Sequence, residues 1–182
     1  MDCLFVIDYQ RDFVDGALGF PGAETLDDAI ARRVRDYGPG RVWFTRDTHG
    51  PDYLSTREGR RLPIPHCLRG TPGWENYGRT AQALEAVGAV GVEKAAFGLD
   101  PAVLALLPKT AERIELCGLV SSICVISNAA VLQGHYPGAQ LTIDAALTAG
   151  PDPKLHQETL DVLEGLQVEI RNRAGKEKEE DQ

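Results

Sequence analysis

The chain has 182 residues, a length that suits one globular domain with a substantial core. Hydrophobic residues make up 43% and charged residues 25%, ordinary values for a folded domain, and no apolar run approaches the roughly 20 residues that cross a bilayer. The formal net charge is −8 and no long Lys/Arg cluster is present, which argues against nucleic acid as a partner.

Strand-like and helix-like segments alternate along the chain. The predicted strands cover 3–7, 41–45, 90–93, 113–117, 140–143 and 167–170. The predicted helices cover 24–37, 78–87, 101–107, 121–133 and 153–163. The Asp-Pro pairs at 100–101 and 152–153 mark the starts of the third and fifth of these helices. This βαβ rhythm predicts an α/β fold with a mostly parallel sheet and helices on both faces.

Two segments fall outside this rhythm. The segment 49–74 is long, contains several Pro and Gly residues and shows little periodicity, which favours a functional loop. The C-terminal segment is charged and featureless. We therefore expect one domain over 1–172 and a disordered tail over 173–182.

The four cysteines are Cys3, Cys67, Cys117 and Cys124, and none forms a CxxC pair. The first residues, 1–5, place no basic region ahead of the apolar run, so they do not resemble a signal peptide. We therefore expect thiols rather than disulfides, and a cytoplasmic protein that neither binds nor spans a membrane.

Candidate functional residues follow the predicted strands. Asp8 follows the first strand, Asp47 and His49 the second, Lys94 the third and the turn 121–124 the fourth. In parallel sheets, ligands bind beyond the carboxyl ends of the strands, near a switch in strand order. All of these residues lie where that rule requires.

Cys124 lies in a strand-turn-helix segment, where nearby N–H groups favour the thiolate and could hold an oxyanion. Asp8 could act as a base and Lys94 as its cationic partner. From the residues alone, the alternatives stay open: a buried helix cysteine, a capping carboxylate and a surface lysine.

Asp47 and His49 lie two residues apart, so on an extended segment both can face one ion. Glu58 and His66 could complete the set, and oxygen with imidazole ligands suits zinc, manganese or iron. Roles in turns and hydrogen bonds are the alternative. The other two histidines lie on predicted surface and receive no role: His135 and His156.

Several motifs occur in a specific order: VIDYQRDF at 6–13, TRDTH at 45–49, HCLRGTPGW at 66–74, Lys94, and GLVSSICV at 118–125. This set resembles the isochorismatase-like cysteine hydrolase superfamily, and within it the nicotinamidases, over about residues 3–170. The resemblance implies a three-layer α/β/α Rossmann-like fold with a six-stranded parallel sheet.

The resemblance also implies site residues. The catalytic triad would be Asp8, Lys94 and Cys124, with a non-proline cis peptide at Leu119–Val120 that turns the Val120 N–H toward the oxyanion. A divalent metal, zinc or else manganese or iron, would be bound by the matching positions Asp47, His49, Glu58 and His66, with no organic cofactor. Two aromatic residues would pack around a ring-shaped substrate: Phe13 and Trp74.

Two departures loosen the assignment within the superfamily. The stretch 50–58 lacks the further histidine of many nicotinamidases, although some members resemble this chain in carrying Glu near position 58. Ser121-Ser122 replaces the frequent Thr-Asp. True isochorismatases lack the nucleophilic cysteine, so Cys124 argues against vinyl-ether hydrolysis.

The expected function is cysteine-dependent hydrolysis of a small amide, foremost nicotinamide to nicotinate and ammonia, through a thioester. The alternative enzyme is an amidase or carbamoyl hydrolase that acts on a non-aromatic amide without metal. A binding or regulatory module and a redox sensor using Cys124 are the non-enzyme alternatives. By analogy with the family, we expect a homo-oligomer, a dimer or tetramer.

Overall fold

The computed structural model describes residues 1–174 and contains a six-stranded sheet in which every strand pair is parallel. The strands are β1 (Asp2–Ile7), β2 (Val42–Asp47), β3 (Val90–Lys94), β4 (Arg113–Leu119), β5 (Gln140–Ala149) and β6 (Glu169–Arg171). Their order is β3-β2-β1-β4-β5-β6. All six predicted strands are present, although β5 extends to Ala149 rather than ending at 143.

The helices are α1 (Arg11–Val14), α2 (Asp27–Tyr37), α3 (Gly78–Ala86), α4 (Pro101–Leu104), α5 (Ile126–His135) and α6 (Pro153–Gly165). The helix predicted over 121–133 begins instead as a π-helical turn, Ser121–Val125, which leads into α5. The short α1 was not predicted, because four residues carry too little periodicity to reveal a helix.

Two helix starts follow directly from the sequence. The Asp100 carboxylate accepts hydrogen bonds from the first-turn N–H groups of α4, and Asp152 does the same for α6. The proline that follows each aspartate has no N–H to satisfy and is already in a helical φ. The predicted N-cap and proline pairs are therefore confirmed.

Alternation along β1 divides the core into two clusters. Cys3, Phe5 and Ile7 pack with residues of α5 and α6, whereas Leu4 and Val6 pack with residues of α2 and α3. A central parallel strand covered on both faces needs a continuous apolar run, and residues 3–7 supply it. The predicted three-layer α/β/α fold is confirmed.

The strand order reverses between β1 and β4. A crevice therefore opens where the carboxyl ends of these two strands diverge, with Asp8 after one and Val120 after the other. The fold thus places the carboxyl ends of β1, β2, β3 and β4 at the same edge of the sheet.

Among residues 1–174, no helix combines the length and the apolar character needed to cross a membrane. The tail expected over 173–182 falls mostly on residues 175–182, which lie outside the described part of the chain.

Candidate active site

Three strand ends bring Asp8, Lys94 and Cys124 into contact. The Lys94 Nζ lies 2.6 Å from Asp8 Oδ2 and 3.6 Å from Cys124 Sγ. Asp8 is fully buried, and only 2% of Lys94 and 4% of Cys124 is exposed. A carboxylate, an ammonium and a sulfur that are distant in the sequence therefore form one buried group.

Hydrogen bonds hold the carboxylate and the ammonium in place. The Thr45 hydroxyl accepts from the Asp8 N–H (3.1 Å) and donates to Asp8 Oδ1 (2.5 Å). The Lys94 ammonium also donates to the Ala96 carbonyl at 3.0 Å. The sequence analysis missed Thr45, and its only signal was a position on β2 beside the end of β1.

Asn128 performs a similar task below the thiol. Its Nδ2 donates to the carbonyls of Cys124 (2.8 Å) and Phe97 (3.0 Å), and its Oδ1 accepts from the Leu99 N–H (3.0 Å). Asn128 is fully buried and lies four residues after Cys124, on the same face of the helix. It therefore joins the turn that carries Cys124 to the segment after Lys94.

Burial and mutual charge set the protonation of the three groups. Burial raises the pKa of Asp8 above its usual range, although the charge of Lys94 opposes this shift. Burial acts to lower the pKa of Lys94, but the neighbouring Asp8 outweighs it and raises that pKa. Burial and the charge of Asp8 raise the pKa of Cys124 well above normal. Lys94 is therefore charged, and the resting thiol keeps its proton.

The last result differs from one sequence-based expectation. The N–H groups around Cys124 were expected to lower the pKa of the thiol and favour the thiolate, whereas burial, with the charge of Asp8, raises that pKa. Forming the thiolate would therefore require a base.

The segment before the thiol has an unusual backbone. The peptide bond Leu119–Val120 is cis, as the resemblance implied. Gly118 has a φ of +106°, and a Cβ there would lie 2.1 Å from the Ile7 carbonyl oxygen. Only glycine therefore fits where β1 and β4 pass closest to the site.

Asp47, His49, Glu58 and His66 form one cluster of potential metal ligands. The His49 Nε2 lies 3.0 Å from Asp47 Oδ2 and 3.9 Å from Glu58 Oε1. The His66 Nε2 lies 3.5 Å and 3.7 Å from the same two oxygens. Four ligands at zinc distances in a tetrahedron are about 3.3 Å apart, so the cluster fits a divalent metal.

One further detail supports this fit. The His66 Nδ1 lies 2.8 Å from the Ile64 carbonyl and donates to it, which leaves the Nε2 lone pair facing the cluster. The second oxygen of Asp47, Oδ1, lies 3.6 Å from the Lys94 ammonium, so Oδ2 is the oxygen that faces the two histidines.

Gln10 orients the first of these ligands. Its Nε2 donates to the carbonyls of Asp47 and Trp74, both at 2.9 Å, and its Oε1 accepts from the Asp47 N–H at 2.8 Å. The side chain is fully buried. Sequence reasoning gave Gln10 no role, because a glutamine after a strand carries no signal of burial.

A cavity of about 500 Å³ leads to the thiol. Cys124 and Val120 lie on its wall with three of the cluster residues, Asp47, Glu58 and His66. The rest of the lining is mainly apolar. The Cys124 thiol and the cluster of potential metal ligands therefore open into one space, large enough for a small ligand.

Trp74, expected beside a ring-shaped substrate, is not among the residues that line this cavity. Its Nε1 donates to the Thr48 hydroxyl at 2.8 Å, and the Arg46 guanidinium lies 3.9 Å from the ring centroid. These contacts hold the indole against the end of β2. Its role in substrate binding stays a proposal.

His156 lies closer to the site than expected. Its ring is half-buried on α6, and its Nδ1 lies 2.9 Å from the hydroxyl of the fully buried Ser121 in the π-helical turn. The expectation of a surface histidine was wrong because the sequence does not show that α6 packs against this turn. His135 is exposed, as expected.

A family model described as the isochorismatase domain matches residues 2–174. The chain belongs to this family. No curated protein matches the sequence significantly.

Solved structures resemble the chain over nearly its full length. The nicotinamidase/pyrazinamidase of Bacillus subtilis has a TM-score of 0.81 and 26% identity, covering 94% of this chain and 99% of its own. The pyrazinamidase of Pyrococcus horikoshii, solved in complex with zinc, has a TM-score of 0.79 and 25% identity, covering 93% and 97%. The predictions of a nicotinamidase-like family member and of an amidohydrolase are confirmed.

Proposed function

We propose that this isochorismatase-family protein hydrolyses nicotinamide or a closely similar aromatic amide to the acid and ammonia, through a thioester on Cys124. The observation that carries the proposal is the buried group in which Lys94 contacts both Asp8 and Cys124, with Cys124 on the cavity wall. Amide hydrolysis needs a nucleophile, a proton acceptor and a charge stabiliser, and these three residues supply them.

The first half of the reaction forms the thioester. The Cys124 thiol gives its proton to Asp8, whose raised pKa makes it a competent base, and Lys94 stabilises the resulting charges. The sulfur attacks the amide carbon, and the N–H groups of Val120 and Cys124 hold the oxyanion. Asp8 then returns the proton to the nitrogen, the C–N bond breaks and ammonia leaves.

The second half releases the acid. Asp8 removes a proton from water, and the oxygen attacks the thioester carbon. The C–S bond breaks, the carboxylic acid leaves, and Cys124 recovers its thiol proton from Asp8. One water is consumed, and one acid and one ammonia form.

The cluster of potential metal ligands supports the choice of a substrate with a pyridine ring. A divalent metal, zinc in the first place, would be held by Asp47, His49, Glu58 and His66 and would supply a Lewis acid for the ring nitrogen. Phe13 packs beside this cluster, with its ring centroid 5.6 Å from that of His66. An aromatic side chain in this place suits a planar substrate.

Ammonia release from nicotinamide tests the proposal. Wild-type protein should release ammonia, and Cys124→Ala should lower kcat/KM at least about a thousandfold, because no other group forms the thioester. Cys3→Ala is the control, since Cys3 is a buried thiol in the core. Acid quenching should trap an acyl adduct on Cys124. Turnover that survives in Cys124→Ala would contradict the mechanism.

The four cysteines, which are free thiols in the structure, also support a cytoplasmic location. A homo-oligomeric state, a dimer or tetramer, belongs to the same proposal by family analogy. Light scattering of the purified protein tests it, and a monomer at micromolar concentration would contradict it.

A further inference from the structure

The cavity that leads to Cys124 has two cationic side chains on its wall. Arg57 and Arg61 both line it, and both are exposed. Within residues 1–174, neither guanidinium forms an ion pair or a hydrogen bond with another group. The two charges are therefore available to a ligand.

The turn that carries these arginines is fixed rather than loose. The N–H groups of Arg60 and Arg61 donate to the carbonyls of Thr56 and Glu58. Below the turn, the buried Tyr53 donates from its hydroxyl to the Leu62 carbonyl at 2.8 Å. The backbone that carries the two arginines is therefore held in place, and only their side chains must be ordered when a ligand binds.

Two acidic residues lie on the same wall. Asp47 and Glu58 line the cavity too, and both belong to the cluster of potential metal ligands, where a divalent ion would balance their charges. With that ion bound, the two arginines would leave the cavity wall positively charged.

The cavity is larger than one aromatic ring needs. The cavity of about 500 Å³ lies within the range of about 300–1,000 Å³ that is typical for drug-sized ligands. Phe97 and Ile123 line it although 39% and 40% of their surfaces are exposed. These two side chains therefore offer apolar surface to the body of a ligand in the cavity.

We propose that the preferred substrate of this site is a carboxamide that carries a carboxylate, or another anionic group, at the end remote from the scissile amide. The amide enters next to Cys124, the apolar body covers Phe97 and Ile123, and the anion pairs with Arg57 and Arg61. A guanidinium binds a carboxylate with two parallel hydrogen bonds, which gives geometric selectivity. This inference rests on the proposed amide hydrolysis and specifies its substrate class.

Matched substrates test the proposal. Nicotinamides with a carboxylate on the ring, attached directly or through one to three methylenes, are compared with their methyl esters. For at least one chain length, kcat/KM of the wild-type protein should be about tenfold higher for the acid. The ratio should fall as ionic strength rises, because salt screens exposed charges.

Variants assign the effect to the two arginines. Arg57→Gln and Arg61→Gln should each lower the acid-to-ester ratio severalfold, mainly through KM, and the double variant should abolish the preference. Arg60→Gln is the control, because Arg60 lies on the same turn, does not line the cavity and donates to the Ser55 carbonyl. Its ratio should equal that of the wild type.

The outcomes separate this inference from the proposed function. Hydrolysis of nicotinamide with an acid-to-ester ratio of one or less at every chain length overturns the inference and leaves the amidase. If no amide is hydrolysed, calorimetry decides with the same compounds: tighter binding of the acids than of the esters, lost in the double arginine variant, supports the anion site without the amidase. Equal binding overturns it.

Discussion

Lys94 is the residue on which the charges of the site converge. Its ammonium lies 2.6 Å from Asp8 Oδ2, 3.6 Å from Cys124 Sγ and 3.6 Å from Asp47 Oδ1. The side chain is almost wholly buried, so each of these interactions acts in a medium of low polarity. Lys94 therefore lies between Asp8, the Cys124 thiol and the cluster of potential metal ligands.

Replacing Lys94 tests how much these interactions contribute to activity and stability. Lys94→Met should abolish amide turnover and destabilise the fold by about 3–5 kcal/mol, because Asp8 would stay buried without its cation. The double variant Asp8→Asn/Lys94→Met should lose less stability than the sum of the two single variants. Urea unfolding measures each free energy.

Lys154→Met is the matched control for that series. The Lys154 side chain is 86% exposed and pairs with Glu158 one turn along α6. Exposed pairs of this kind contribute about 0–1 kcal/mol, so the control should stay near the wild type. Additive losses in the Asp8 and Lys94 series would show that the two groups do not form a coupled pair.

At the scale of elements, α6 supports the π-helical turn that carries Cys124. The support runs through the His156 ring and the Ser121 hydroxyl. Ser121 directly follows Val120, so a shift of this turn would move the thiol and the proposed oxyanion site together. His156 does not line the cavity, so we expect it to affect the reaction only by positioning this turn.

Two variants of His156 separate its hydrogen bond from its charge. His156→Leu leaves the buried Ser121 hydroxyl unpaired and should cost about 1–3 kcal/mol of stability and lower kcat. His156→Asn keeps a polar atom near the Nδ1 position and should retain most of the activity. His135→Asn is the control on exposed surface, and kcat should not change. Equal activity in all three variants would exclude positioning.

The lowered pKa of His156 predicts that the stability of the fold depends on pH. Burial and the nearby Arg173 lower the pKa of His156 below its usual value. The folded protein therefore binds a proton less readily than the unfolded chain, so this histidine's contribution is present above the unfolded pKa of about 6.5 and is lost as pH falls through the folded pKa. In thermal unfolding, the His156→Asn variant should show a smaller loss of Tm over that range than the wild type.

At the scale of the whole molecule, a bound ion would tie the long segment after β2 to the sheet. Asp47 ends β2, His49 and Glu58 follow along the segment, and His66 lies beyond a further turn. Hydrogen bonds already join the segment to its surroundings, among them one from the Cys67 N–H to Asp12 Oδ2. An ion held by all four side chains would add a further cross-link.

Metal removal should thus change the stability of the entire chain. Zinc at about 100 times its Kd should stabilise the folded state by about 2.7 kcal/mol, and a chelator should reverse the gain. Differential scanning calorimetry measures the shift in Tm. In His66→Asn the response to zinc should be much smaller, whereas in His135→Asn it should match the wild type. An unchanged Tm with zinc in the wild-type protein would refute the metal site.

Much of this arrangement was predictable from local chemistry. The apolar run 3–7 identified the central strand, and the aspartate-proline pairs at 100–101 and 152–153 identified two helix starts. Functional residues could be located because parallel strands direct their carboxyl ends to one edge. By contrast, the sequence placed His156 on the surface, since contacts between elements leave no periodic signal.

The sequence by itself determined the strands, their parallel arrangement and the candidate residues at their ends, because periodicity and capping are properties of neighbouring residues. Only the tertiary structure decided the protonation of Cys124, the roles of Thr45, Gln10 and Asn128, and the two arginines on the cavity wall. These depend on burial and on distances between side chains far apart in the chain. Such quantities exist only once the sheet has formed and its two faces are covered.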